Sequence, residues 1–104
     1  MNRTEYLLIQ AGSECNEIAH RASKALHFGL QEVQPEQPLS NAERLVGEYV
    51  DLLAVMEMLE NDELIHMPTG EELRSQIAAK KAKVEKFMRF ASEQCGTVQL
   101  ESSK

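Results

Sequence analysis

"SNAERLVGEYVDLLAVMEMLE", residues 40–60, decides the fold. Leu45, Val46, Tyr49, Val50, Leu52, Leu53, Ala54, Val55, Met56, Met58 and Leu59 surround a helical axis almost completely, the mark of a central, buried helix. Ser40 followed by Glu43 is a capping-box pattern that starts this helix, which is expected to run to about Glu60. Inside it stand Glu48 and Asp51, three positions apart. Both acids are therefore expected to be at least partly buried, where an ionised carboxylate is costly unless it is paired or bound to a metal.

Two further helices flank it. One spans about Thr4 to His27, with Gly29 placed to stop it; the other opens at Thr69, repeats the capping pattern at Glu72 and ends near Gly96. The connection "GLQEVQPEQPLS", residues 29–40, reads as an ordered loop, and Asn61 to Met67 as a candidate short helical turn. No segment alternates like a strand. The expectation is an all-α bundle of three main helices. It forms one domain over residues 1–96 with a frayed tail at 97–104, and a second subunit completes it.

On a helix advancing about 100° per residue, the first helix sorts into two stripes. Leu8, Ala11, Cys15, Ile18, Ala22 and Leu26 form the expected core face; Glu14, Glu17, Arg21, Lys24 and Phe28 lie beside it. Two acid pairs, Glu14 with Glu17 and Glu48 with Asp51, thus come from successive helices. Arg44, one turn before Glu48, can offset one charge but not four. Oxygen-rich carboxylate sets of this kind suit Mg²⁺, with Mn²⁺ as a substitute. The competing reading is plain surface decoration by i,i+3 and i,i+4 charges.

Composition narrows the classes. A chain of 104 residues with net charge −6 is no nucleic-acid binder by electrostatics. Residues 30–72 hold eleven acids against Arg44 alone, whereas residues 73–90 hold six bases against Glu85 alone. With five aromatic residues and no Trp, aliphatic and Met side chains must fill the core. Cys15 and Cys95 make no disulfide framework and no zinc spacing, which fits a reduced cytoplasmic setting. "MNRTEYLLIQAGSE" lacks the apolar run of a signal peptide, and no stretch is long enough to enter a membrane.

"SECNEIAHRASKALHFG" together with "NAERLVGEYVDLLAVMEML" resembles the MazG-like all-α nucleoside triphosphate pyrophosphatases, most of all their compact single-domain forms from bacteriophages and bacteria. The likeness covers about residues 5 to 60 and rests on the family's EExxE and ExxD motifs. It implies Mg²⁺ ligands at Glu14, Glu17, Glu48 and Asp51, and a general base at Glu14 or Glu17. It also implies hydrolysis of a nucleoside triphosphate between the α and β phosphates, in a homodimer or a dimer of dimers. The first acid of EExxE is Ser13 here, and Gly47 stands where an acid is common.

For the phosphates the sequence offers Arg21 and Lys24 on helix one. Lys80 and Lys81 interrupt the apolar stripe Leu73, Ile77, Val84, Met88 and Ala91 of helix three; such lysines either snorkel to the edge or reach an acidic cleft. For the base it offers Asn16, His27 and Phe28. Two other functions compete. Glu17 with His20 and Glu63 with His66 have the ExxH spacing of di-iron carboxylate oxidoreductases. Alternatively, the Met-rich second helix serves a non-catalytic helical interaction protein.

Overall fold

The computed structural model describes residues 1–100. Its elements are α1 (Arg3–Phe28), α2 (Asn41–Asn61) and α3 (Gly70–Phe90), the last passing into a π-helical turn over Ala91–Cys95. There is no strand among the described residues, and the fold is all-α. The chain separates into two compact units, Met1–His66 and Met67–Lys104.

Each helix of the first unit is started by its own sequence. Asn2 caps α1: its side-chain oxygen accepts from the Glu5 amide (2.8 Å), and Glu5 accepts from the Asn2 amide (2.9 Å). Ser40 and Glu43 form the expected capping box on α2. Gly29 ends α1 at φ 99°, a conformation that favours glycine, and its N–H donates to the Ala25 carbonyl.

The connection is ordered, as expected. Val33 and Ser40 pair in an isolated antiparallel bridge, and the amides of Asn41 and Ala42 donate to the carbonyls of Glu32 and Leu30. Asn41 is fully buried. Its Nδ2 donates to the Gly29 carbonyl and to Glu32 Oε1, both at 2.9 Å, clipping the start of α2 to the end of α1. At the other end, Arg3 Nε donates to Asp62 Oδ2 at 2.7 Å, and this bond with its attraction raises the Arg3 pKa further. An exposed pair of this kind marks the register more than it adds stability.

Between these ends the antiparallel helices meet along a seam. The less exposed positions of α1 include Leu7, Ala11, Glu14, Ile18, Arg21 and Ala25; those of α2 include Asn41, Leu45, Glu48, Leu52, Val55 and Leu59. Both rows alternate steps of three and four, the spacing of coiled-coil packing. Leu7, Val55 and Leu59 form its apolar end, with Ala11, Met56 and Ile65 against them.

Three expectations are corrected. The face of α1 that packs on α2 lies one residue from the more apolar stripe: Leu8, Cys15, Ala22 and Leu26 are exposed, Leu26 at 85%. The second helix is not buried all round, since Val46, Tyr49 and Val50 are each more than half exposed. Asp62 and Glu63 turn the chain out of α2, Glu63 at φ 62°, so Asn61 to Met67 adds no further helical turn.

In the second unit, α3 begins after Thr69 as expected, but Thr69 makes no side-chain cap bond. Of its apolar stripe, Leu73, Ile77 and Val84 are exposed, and Met88 and Ala91 are half-buried. The π-helical turn ends at Gly96 in the left-handed region, φ 67°. Residues 97–100 carry no regular structure, and the rest of the expected frayed tail lies outside the described residues. No helix among the described residues is long and apolar enough to cross a membrane. Cys15 and Cys95 are free, exposed thiols.

Leu59 is 2% exposed, so Leu59→Ala is expected to lower unfolding free energy by about 2–5 kcal/mol. Leu26→Ala on the other stripe is expected to change it by less than about 0.5 kcal/mol. Urea unfolding followed by circular dichroism measures both.

Candidate metal centre

Halfway along the seam, the packing that elsewhere brings leucines together brings carboxylates together. Glu14 from α1 and Glu48 and Asp51 from α2 each offer an oxygen, and the three oxygens lie within 4.8 Å of one another. Glu14 and Glu48 are half-buried, and Asp51 is exposed, not partly buried as its apolar neighbours implied. Val46, Tyr49 and Val50 beside it on α2 stand open themselves.

One hydrogen bond braces this group. Gln10, one turn before Glu14, donates from Nε2 to Glu14 Oε1 at 2.9 Å, holding that side chain along the helix surface. Gln10 escaped the sequence reading, although its i,i+4 spacing to Glu14 is the signal that finds such pairs. Arg44 does not offset Glu48: its Nη1 donates instead to Gln34 Oε1 in the connection, at 2.8 Å. At separations of this size two like charges repel by about 1 kcal/mol in water, and by a few at the effective dielectric of a protein surface.

The donor set fits a hard divalent cation. Octahedral oxygen ligands about 2.1 Å from Mg²⁺ lie about 3–4 Å from one another, so the three carboxylates need only draw in slightly. The open side toward Asp51 leaves room for water or phosphate oxygens in the remaining positions. No enclosed pocket exists among the described residues, so this is an exposed ledge.

The other candidate residues divide by position. Glu17 is exposed, one turn after Glu14, and stands outside the group of three. Arg21 lies on the seam and is buried. Lys24 holds its ammonium 5.6 Å from the centre of the Phe28 ring, a cation–π contact at the end of α1. His27 packs at a tilt on Phe28 and shares its Nδ1 with the Ser23 carbonyl at 2.8 Å. Asn16 is exposed. Lys80 and Lys81 are exposed on α3, in the second unit.

The ExxH pairs fare differently from the acids. Glu17 and His20 are both exposed on α1. Glu63 and His66 lie beyond the end of α2, with Glu63 in the left-handed turn, so they do not share a helix face.

Removing one of three crowded charges relieves repulsion. Glu48→Gln is therefore expected to raise Tm by a few degrees in EDTA, since about 1 kcal/mol shifts a domain of this size by about 4–8 °C. The same variant is expected to lose most of the stabilisation that millimolar Mn²⁺ gives the parent chain; differential scanning calorimetry reads both effects.

No protein-family model, no curated protein and no solved structure matches this chain.

Proposed function

We propose that this chain is a divalent-cation-dependent nucleoside triphosphate pyrophosphohydrolase. Its products are a nucleoside monophosphate and pyrophosphate, and Mg²⁺, or Mn²⁺ in its place, is its cation. The observation that carries this reading is the meeting of Glu14, Glu48 and Asp51 across the α1–α2 seam. Among the described residues these three carboxylates make no ion pair, and the nearby Arg44 is hydrogen-bonded to Gln34 instead. The resemblance of the two helices to the MazG-like enzymes points the same way.

Glu14, Glu48 and Asp51 are the residues that hold the cation. Bound there, it neutralises phosphate charge and polarises the phosphoryl group. The chain's own residues supply the rest. Water adds across the bridge between the α and β phosphates, its oxygen bonding to phosphorus while the bridging P–O bond breaks. The proton it releases goes to a carboxylate, and Glu17 is the base we propose. It is exposed, its carboxylate makes no hydrogen bond or ion pair among the described residues, and it follows Glu14 by one turn. Glu14 is the second choice, because it is already engaged by Gln10.

Lys24, on α1 of the same unit as the acids, is a candidate phosphate contact. Phe28, with His27 packed on it, offers an aromatic face to a base, and Asn16 a side-chain amide. The cytoplasm is the compartment that fits the two free thiols. A second copy of the chain is the proposed partner. Val46, Tyr49 and Val50 on α2, with Leu8 on α1, expose apolar side chains of the size that subunit interfaces bury.

Incubation with each nucleoside triphosphate and Mg²⁺ is expected to release pyrophosphate from at least one of them. Glu14→Gln, Glu48→Gln and Asp51→Asn are each expected to lower that rate at least about a hundredfold. Glu17→Gln is expected to lower kcat with little change in metal affinity. Release of no pyrophosphate from any nucleotide by folded protein refutes the proposal. Light scattering is expected to give a mass of at least two chains.

A further inference from the structure

Arg21 presents a problem that the proposed reaction has not yet used. The residue is only 7% exposed, and its Nε and Nη1 are sealed from solvent without any acceptor. A guanidinium cannot shed its charge to escape this, because it stays protonated at any ordinary pH. Buried donors are nearly always paired, and a buried cation without a counter-charge is more unfavourable still.

Its position says where the missing anion comes from. Glu14, Ile18 and Arg21 occupy successive seam positions of α1, so Arg21 shares the face that carries Glu14 into the group of three carboxylates. Arg21 follows Glu14 by about two helical turns on that face. Even so, no ion pair joins Arg21 to Glu14, Glu48 or Asp51 among the described residues. The middle of the seam thus holds unpaired negative charge, and two turns further along α1 it holds an unpaired fork of donors. Nη2 is not among the sealed atoms, which leaves an edge of the fork open to an incoming group.

We infer that Arg21 is an anion-binding residue. It takes a phosphate group of the ligand whose cation sits at Glu14, Glu48 and Asp51, a role that rests on the function proposed above. A phosphate bridges the two halves of the seam: its oxygens meet the cation on one side and accept N–H bonds from the guanidinium on the other. Planar, multi-donor recognition of this kind is what arginine provides and lysine does not. In the absence of phosphate the buried charge is a standing source of instability, so ligand and fold are coupled.

The test uses the full chain and Arg21→Met, which keeps the length of the side chain and removes its charge, with Arg21→Lys as the conservative variant. Magnesium pyrophosphate is titrated by calorimetry, and Tm is followed with pyrophosphate or with sodium chloride at matched ionic strength. Without pyrophosphate, Arg21→Met is expected to melt at or above the parent chain. With it, the parent Tm is expected to rise while that of Arg21→Met does not. Pyrophosphate affinity is expected to fall about ten- to a hundredfold in Arg21→Met, with Arg21→Lys between the two.

Arg21→Met affinity within twofold of the parent, or no pyrophosphate binding by the parent, overturns the inference. A marked loss of Tm in ligand-free Arg21→Met also overturns it, since the guanidinium then has a structural counter-ion, such as a carboxylate of a second copy. The two proposals fail separately. Arg21-dependent pyrophosphate binding without hydrolysis of any nucleotide sinks the enzyme and keeps the anion site; hydrolysis with an unchanged KM in Arg21→Met does the reverse.

Discussion

The register between α1 and α2 is the constraint on which the rest of the structure depends. It is fixed at both ends by different physics. At one end Leu7, Val55 and Leu59 exclude water, with Arg3 and Asp62 paired beyond them. At the other the buried Asn41 amide bonds the Gly29 carbonyl and the Glu32 carboxylate, tying the connection to the first turn of α2. With both ends held, the middle of the seam has no freedom to slide. A slip of one helical turn, about 5.4 Å, would separate Glu14 from Glu48 and Asp51.

The seam is unusual in what it buries. Coiled-coil positions normally hold aliphatic side chains, and a polar residue there lowers stability while fixing the alignment. Here Glu14, Glu48, Arg21 and Asn41 occupy four such positions. Among the described residues the Asn41 Nδ2 finds two acceptors while its Oδ1 finds no donor, Glu14 has the neutral neighbour Gln10, and the Arg21 Nε and Nη1 have no acceptor. Polar seam residues left this way weaken the fold unless something arrives to complete them. On the function we propose, a cation at the acids and a phosphate at the arginine complete both halves together.

Much of the fold was legible because local signals and pattern agreed. Ser40 with Glu43 and Gly29 marked real helix ends, and the proline-containing connection was ordered as read. The capping reading of Thr69 was right about where α3 starts and wrong about the bond. The face of α1 was misjudged for a physical reason. Two stripes one residue apart compete there, and the more apolar one, Leu8 through Leu26, is not the one turned toward α2. Hydrophobic periodicity finds the stripe that most needs cover, but does not say which neighbour covers it. Glu14 was therefore placed beside the core when it belongs to the seam.

The acids themselves were legible by spacing, and three of the four converge as two helical faces carrying Glu14, Glu48 and Asp51 require. That Glu17 stands apart, that Gln10 braces Glu14 and that Arg44 turns away to Gln34 depend on rotamers and on the path of the connection. Helical spacing carries neither. The most direct test of the central claim is a crystal of the full chain soaked in Mn²⁺, with data collected for manganese anomalous scattering. The account predicts an anomalous peak within about 2.3 Å of carboxylate oxygens from Glu14, Glu48 and Asp51 together. Well-ordered carboxylates with no peak between them at saturating Mn²⁺ would contradict it.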